Sequence, residues 1–404
     1  MALQQSHVKT SNEKFGGRQY FLDWVRIFAF AFLIFYHAGM MFVEWEWHIE
    51  SGHDSEFLKS IMLLTSKWRL DILFIVSGVA ISFMISKMSL RRFVWQRIVK
   101  LYIPLIFAIV VIVAPQSYFE AVQKGVFEGS FWQFWTSLYF SFSWDERMIA
   151  PFPTFNHMWY VLYLVHYTII LLPLFAFINS ANGAAWLLKV EGWLAKGSRI
   201  VWLPLVIYFV ILLINGDYNI THTLIDDSYG NSIFIFALVM GVLFVRMPSV
   251  WDAFERNRYL SLIIGLVGYG ALLTIFHTPR EMLPFDGGEA WGKIALVVKW
   301  SWIALIIGFA KRHLNYSNKV LRYCNQLVYP FFILHQTVTI ILGYYVIDWG
   351  FSGIVEYVII SIGTFVICGL FYEILIKNIN ILRLLFGMKW RETGRQGLLA
   401  ETQG

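Results

Sequence analysis

The run Trp24-Val25-Arg26-Ile27-Phe28-Ala29-Phe30-Ala31-Phe32-Leu33-Ile34-Phe35-Tyr36-His37-Ala38 is aromatic and aliphatic throughout, except for Arg26 and His37. Extended to Val43, it has the length and character of a membrane-spanning helix, which needs about 20 mostly apolar residues. In a helix, eleven steps of about 100° overshoot three turns by only about 20°, so both side chains share a face. At about 1.5 Å per residue they stand roughly 16 Å apart along the axis, about half the hydrocarbon thickness. An ionisable residue inside a span is expensive and marks a functional site. Here two are aligned at different depths.

The rest of the chain fits the same class. Of 404 residues, 58% are hydrophobic, 18% aromatic and only 14% charged. A soluble domain cannot hide that much apolar surface, so the expected fold is all-α, a polytopic integral membrane protein. Apolar stretches at 24–43, 57–86, 94–114, 157–178, 201–214, 232–245, 260–276, 294–310, 328–347 and 354–376 predict about ten transmembrane helices. The fifth and sixth are the shortest. No cleavable signal peptide is expected, because the first residues are polar and the first apolar run lacks a small-residue cleavage pattern.

Basic residues set the orientation. With Lys9, Lys14 and Arg18 cytoplasmic and each stretch crossing once, Arg91, Arg92, Arg97, Lys100, Lys189, Lys196, Arg256, Lys311, Arg312 and the tail from Lys377 to Arg395 also fall inside. Glu44, Glu46, Asp54, Asp145, Glu146, Asp217, Asp226, Glu281 and Asp286 fall outside. Both termini are therefore expected in the cytoplasm. One membrane domain is expected over 1–404, with 1–18 as a cytoplasmic N-terminal segment and 380–404 as a cytoplasmic tail. The net charge of +6 is a topology signal, with no nucleic-acid partner implied. Cys324 and Cys368 follow no metal or disulfide spacing, and no metal site is expected.

Two constellations follow from depth. His37, Asp71, Arg69 and His157 belong to the outer half and converge on one expected cavity; Asp71 is the candidate carboxylate that orients the His37 ring. A bland account of Asp71 is a salt bridge to Arg69 or Lys67. On the inner side, Arg97 and Lys100 stand at i and i+3 on one helix face, and Arg26 points to the same region. Guanidinium and ammonium groups at a dry boundary suit phosphate oxygens. Together these groups suit a cytoplasmic, phosphate-bearing donor with a long arm and an acceptor from outside. They suit equally a proton-coupled transporter with His37 and Asp71 as its relay. The aromatic loop Phe131-Trp132-Gln133-Phe134-Trp135 reads as an interfacial belt or a surface for stacking a sugar, and 183–197 as an amphipathic connector.

Four motifs in order resemble acyltransferase family 3. They are Arg18-Gln19-Tyr20-Phe21-Leu22-Asp23-Trp24-Val25-Arg26 with His37 following, Asp71-Ile72-Leu73-Phe74-Ile75-Val76-Ser77-Gly78, His157-Met158-Trp159-Tyr160, and Tyr329-Pro330-Phe331-Phe332-Ile333-Leu334-His335. Tyr20-Phe21-Leu22-Asp23, Trp47-His48, Tyr372-Glu373-Ile374 and Leu384-Leu385-Phe386-Gly387 carry a closer likeness to the branch that modifies periplasmic glucans. The resemblance implies a ten-helix enzyme of the bacterial inner membrane. It would move an acyl group, succinyl or acetyl, from cytoplasmic acyl-CoA to a hydroxyl of a periplasmic glucan or surface glycan. His37 takes the family's catalytic base position, and Arg26, Arg97 and Lys100 the donor-binding positions. Lys100 stands where the family commonly has a second arginine, which keeps the charge and loses the bidentate fork. His157, Trp159 and His335 are acceptor-side or structural. No cofactor is expected to be permanently bound; acyl-CoA is a substrate. The expected partners are the donor, the glycan acceptor, the lipid bilayer and glycan-synthesis machinery. The alternative is a transporter or flippase for a glycan or lipid-linked sugar.

Overall fold

The stretch around Arg26 and His37 forms helix α1, Tyr20–Gly39. In this computed structural model residues 19–216 and 220–391 are described. The segment 1–18, Asp217 and the tail beyond Arg391 lie outside the described residues, and with them Lys9, Lys14, Arg18 and Arg395. Among the described residues the secondary structure is helical, with no strand. The chain continues with α2 (Glu56–Ile85), α3 (Leu90–Gln123), α4 (Asn156–Ile170) and α5 (Leu172–Ile178). After these come α6 (Ala181–Leu194), α7 (Arg199–Asn215), α8 (Ser228–Phe244) and α9 (Pro248–Arg256). The last helices are α10 (Arg258–His277), α11 (Gly287–His313), α12 (Lys319–Val346), α13 (Gly353–Ile376) and the short α14 (Asn380–Leu385).

Seven of these helices are long and apolar enough to cross a membrane, and three bent pairs raise the number to as many as ten. The pairs are α4–α5, bent by 54°, α6–α7, bent by 107°, and α8–α9, bent by 110°. The predicted fifth and sixth crossings are α7 and α8, each of 17 residues, which at 1.5 Å per residue is about 25 Å and still within spanning length. The amphipathic connector expected at 183–197 is α6, which turns almost at right angles to the crossing that follows.

The helices group into two compact units. The first comprises the chain up to Leu33, Glu56–Phe93 and His166–Asn325; the second comprises Ile34–Ser55, Val94–Val165 and the chain from Gln326. In the first unit α2 and α8 approach closely, because a Cβ at Gly78 would strike the Leu238 carbonyl and one at Gly241 the Ile75 carbonyl. Small residues allow such contact where no hydrophobic drive separates helix from lipid. Helix α11 buries Trp300, whose indole N–H donates to the Ile200 carbonyl at 3.2 Å. That carbonyl is the one Pro204 leaves without its helical N–H, so the tryptophan supplies the missing donor. Ile263, Leu266 and Val267 stay exposed on α10 and form an apolar face suited to lipid.

In the second unit α3 is not a uniform helix. It widens to π geometry at Ile98–Tyr102 and again at Ala108–Ile112. Pro104 lacks the N–H that would bond the Lys100 carbonyl, and Pro115 lacks the one for Val111. Side chains take over the loosened carbonyls. Tyr139 donates to Ile109 at 2.7 Å, Trp135 to Val110 at 2.9 Å and Thr337 to Ile112 at 2.6 Å. The outer connection was expected to begin at Pro115, but the helix runs on to Gln123. Pro115 sits in the first turn of this renewed segment, where proline is tolerated. The aromatic loop mostly builds its own core: Phe134, Tyr139, Met148 and Phe152 are buried together against Ala114 and Ala121. Trp132 and Trp144 remain exposed. Farther out, Arg147 beside Asp145 holds its carboxyl down to about 2.

Candidate active site

His37 occupies the last turn of α1. Its ring lies parallel to the Trp47 indole, with centroids 5.0 Å apart and planes 21° from parallel. On another side stands His335 of α12, 5.3 Å away. His335 in turn meets His157 of α4 at 5.2 Å. The structure thus brings His37, His335 and His157 together in the second unit. Trp159, the neighbour of His157, packs edge-on against Tyr163 at 5.2 Å.

Hydrogen bonds assign different duties to these imidazoles. Nδ1 of His335 donates to the Phe332 carbonyl at 2.7 Å and lies 3.2 Å from that of Phe331, both on its own helix. Nε2 of His157 donates to the Ile333 carbonyl at 3.1 Å, so its Nδ1 is the acceptor, 3.3 Å from the Gln116 amide nitrogen. His157 is therefore neutral and held at both ends. His157 and His335 are 6% and 0% exposed. His37 keeps partial exposure.

A second polar chain runs beside them and was not anticipated. His48, in the loop after α1, bonds through Nδ1 to the Glu120 carboxylate. Glu120 also accepts from the Ile149 N–H at 2.7 Å and from Lys124 at 3.0 Å. On its other edge His48 accepts from the Gln336 amide at 3.1 Å, and Gln336 donates to Gln116 at 3.2 Å. Gln116 donates to Thr337 at 2.7 Å and accepts from Asn156 at 3.0 Å. The direction of each amide follows from Thr337, whose hydroxyl hydrogen is spent on a backbone carbonyl. The network is buried and consistent along its length, the condition under which buried polar groups specify one arrangement. Glu356 is a further buried carboxylate, 3.9 Å from His53. Trp47-His48 was visible as a motif; Glu120 and Gln116 sit on a polar stretch of α3 beyond the apolar run, where hydropathy gives no signal.

Asp71 lies in the first unit and is fully engaged there. Lys299 of α11 approaches its two oxygens at 3.2 and 3.0 Å, and the Tyr208 hydroxyl donates at 3.0 Å. The ion pair goes to Lys299, not to Lys67 or Arg69 as the local reading suggested. Lys67 lies instead over the Trp291 ring, 5.1 Å from its centroid. Arg26 donates to Asn325 at 2.6 Å, stands 3.6 Å from Asp23 and borders a cavity of about 350 Å³ between Gln19, Val76, Phe83 and Lys87.

Arg97 and Lys100 lie in the N-terminal third of α3. The π turn starts between them, so the angular step from Arg97 to Lys100 is not that of a regular α-helix. Nε and Nη2 of Arg97 are buried without a hydrogen-bond partner among the described residues, as is the Tyr329 hydroxyl. Lys100 remains partly exposed. Near the tail, Glu373 pairs with Lys377 at 2.7 Å.

A family model described as an acyltransferase domain matches residues 19–373. Relatives named Glucans biosynthesis protein C, from Escherichia coli O157:H7 (strain EC4115 / EHEC) and Escherichia coli (strain K12), are 22% identical over 390 residues. The match covers 92% of this chain and 95% of each relative. No solved structure matches the chain. With its helices, its order of motifs and a family match over nearly its whole length, the chain belongs to acyltransferase family 3 and is a multi-pass membrane acyltransferase.

Proposed function

We propose that this protein is an O-acyltransferase of the bacterial inner membrane, moving an acyl group from cytoplasmic acyl-CoA to a hydroxyl of a periplasmic glucan. The acyl group is succinyl or acetyl. The observation that carries this reading is the division of labour among the clustered imidazoles. His157 and His335 are buried and bonded to backbone carbonyls, whereas His37 keeps partial exposure. The relatives' name supports glucan as the acceptor.

The donor's phosphates sit at Arg97 and Lys100, and Arg26 keeps its donor role from the same helix as His37. His37 takes the proton of a sugar hydroxyl, and the oxygen attacks the thioester carbonyl. The C–O bond forms, the C–S bond breaks, and CoA leaves as thiolate to be protonated. A positioned base of this kind contributes about 10²–10⁴-fold. A two-step variant, in which His37 itself carries the acyl group, gives the same products.

His37→Ala should therefore lose about 10²-fold or more of glucan-dependent CoA release while still binding CoA. Purified protein with labelled acyl-CoA, with and without glucan, measures both. A variant retaining the wild-type rate sinks the assignment. Glucan movement across vesicles with no ester formed favours the transporter.

A further inference from the structure

Among the described residues, three buried polar atoms of the second unit have no protein partner. Nε and Nη2 of Arg97 lie on one edge of the guanidinium, the edge that forms a two-pronged fork for phosphate or carboxylate. The third is the Tyr329 hydroxyl, within electrostatic range of Arg97. Buried polar atoms are almost always bonded, and each exception calls for a ligand, an ion or a water. A buried charged fork is the least tolerable of them. Among the described residues neither Arg97 nor Lys100 has a carboxylate partner.

The surroundings are cationic and covered. Lys389 of the tail acts electrostatically on Lys100. Phe386 packs edge-on against Phe107 of α3, with centroids 5.6 Å apart, and fastens the tail there. Gly387 follows with φ +69°, against the Tyr329 ring and the Lys100 carbonyl. A side chain at 387 would strike that ring, so the glycine serves both the left-handed turn and the close approach.

We propose that Tyr329 is a donor-binding residue: its hydroxyl and the Arg97 fork hydrogen-bond one phosphoryl group of acyl-CoA, beneath the Phe386–Lys389 segment. This rests on the acyl-CoA reading above. The ligand class follows from the donors, since a planar fork plus a neutral hydroxyl matches a tetrahedral oxyanion. The same fork fits a carboxylate, such as that of a dicarboxylic acyl group, so phosphate and carboxylate must be told apart.

The test is binding of CoA, pantetheine and succinate to the purified full chain, for wild type, Tyr329→Phe and Arg97→Gln, with unfolding temperatures of each ligand-free protein. Tyr329→Phe should weaken CoA binding about ten-fold, as expected for losing a hydrogen bond to a charged group. Pantetheine, which has no diphosphate, should bind both proteins equally, and succinate should not compete with CoA. The ligand-free Tyr329→Phe protein should unfold at the same temperature or higher, because the change removes a buried hydroxyl that has no partner. Arg97→Gln should lose CoA more severely. Equal CoA binding by wild type and Tyr329→Phe, with loss in Arg97→Gln, overturns the tyrosine's role and leaves the donor reading intact. Lower stability of ligand-free Tyr329→Phe, equal weakening for pantetheine, or succinate competition also overturns it. No CoA binding by wild type overturns both.

Discussion

Asp71 shows what a single buried charge demands. It is 2% exposed, and Lys299 and Tyr208 together engage both its oxygens. Taking two charges out of water is costly, and their attraction offsets that cost only when geometry and extra hydrogen bonds are good. Removing one partner leaves the other charge stranded. Asp71→Leu or Lys299→Met alone should each cost about 3–5 kcal/mol, whereas the double variant should recover most of the loss. Thermal unfolding in detergent measures all three; a double variant as unstable as the sum of the singles contradicts a directly coupled pair. Motif order marked Asp71 as important, but its partner lies 228 residues away. The nearest cations in sequence were the natural guess, and Lys67 had an indole to cover instead.

At the scale of elements, hydropathy made the spans legible, since a stretch of about 20 apolar residues has few other fates. The connector before α7 is legible as amphipathic in the sequence, whereas the sharp turn after α8 is not, because an amphipathic helix of 9 residues resembles a loop in a charge map. Pro104 and Pro115 accompany the π segments of α3, whose angular step differs from the roughly 100° that a regular helix takes. Gly78 belonged to a recognised motif without a stated reason. Its reason is α8, whose Gly241 faces the Ile75 carbonyl while Gly78 faces that of Leu238. The collision in each case is with backbone, which cannot rotate aside. Gly241→Ala should therefore destabilise the protein by about 1–3 kcal/mol, as overpacking does. Gly270→Ala is the control, since a Cβ there meets nothing within 4 Å. Equal unfolding temperatures for the two variants would contradict the close approach of α2 and α8.

For the whole molecule, direction is what distinguishes acyl transfer across a membrane from acyl transfer beside one. Lys87, Arg97, Lys100, Lys196 and Lys377 follow one set of crossings, and Glu44, Glu46, Asp145 and Glu146 the other. By the positive-inside rule the first set is expected in the cytoplasm. On the proposed reading, a donor at Arg97 and an acceptor at His37 arrive from opposite faces, and neither acyl-CoA nor a glucan crosses lipid unaided. Orientation can be read in proteoliposomes with Lys196→Cys in a Cys324→Ser, Cys368→Ala background, using a thiol reagent that does not cross the membrane. Where position 196 is labelled from outside, acyl-CoA supplied outside should esterify glucan enclosed within; where 196 is protected, the enclosed compartment must hold the acyl-CoA. Placing both substrates on one face should reduce the rate to background. An undiminished rate with both on the same face would mean that donor and acceptor share an entrance, and the separation of Arg97 from His37 would then need another explanation.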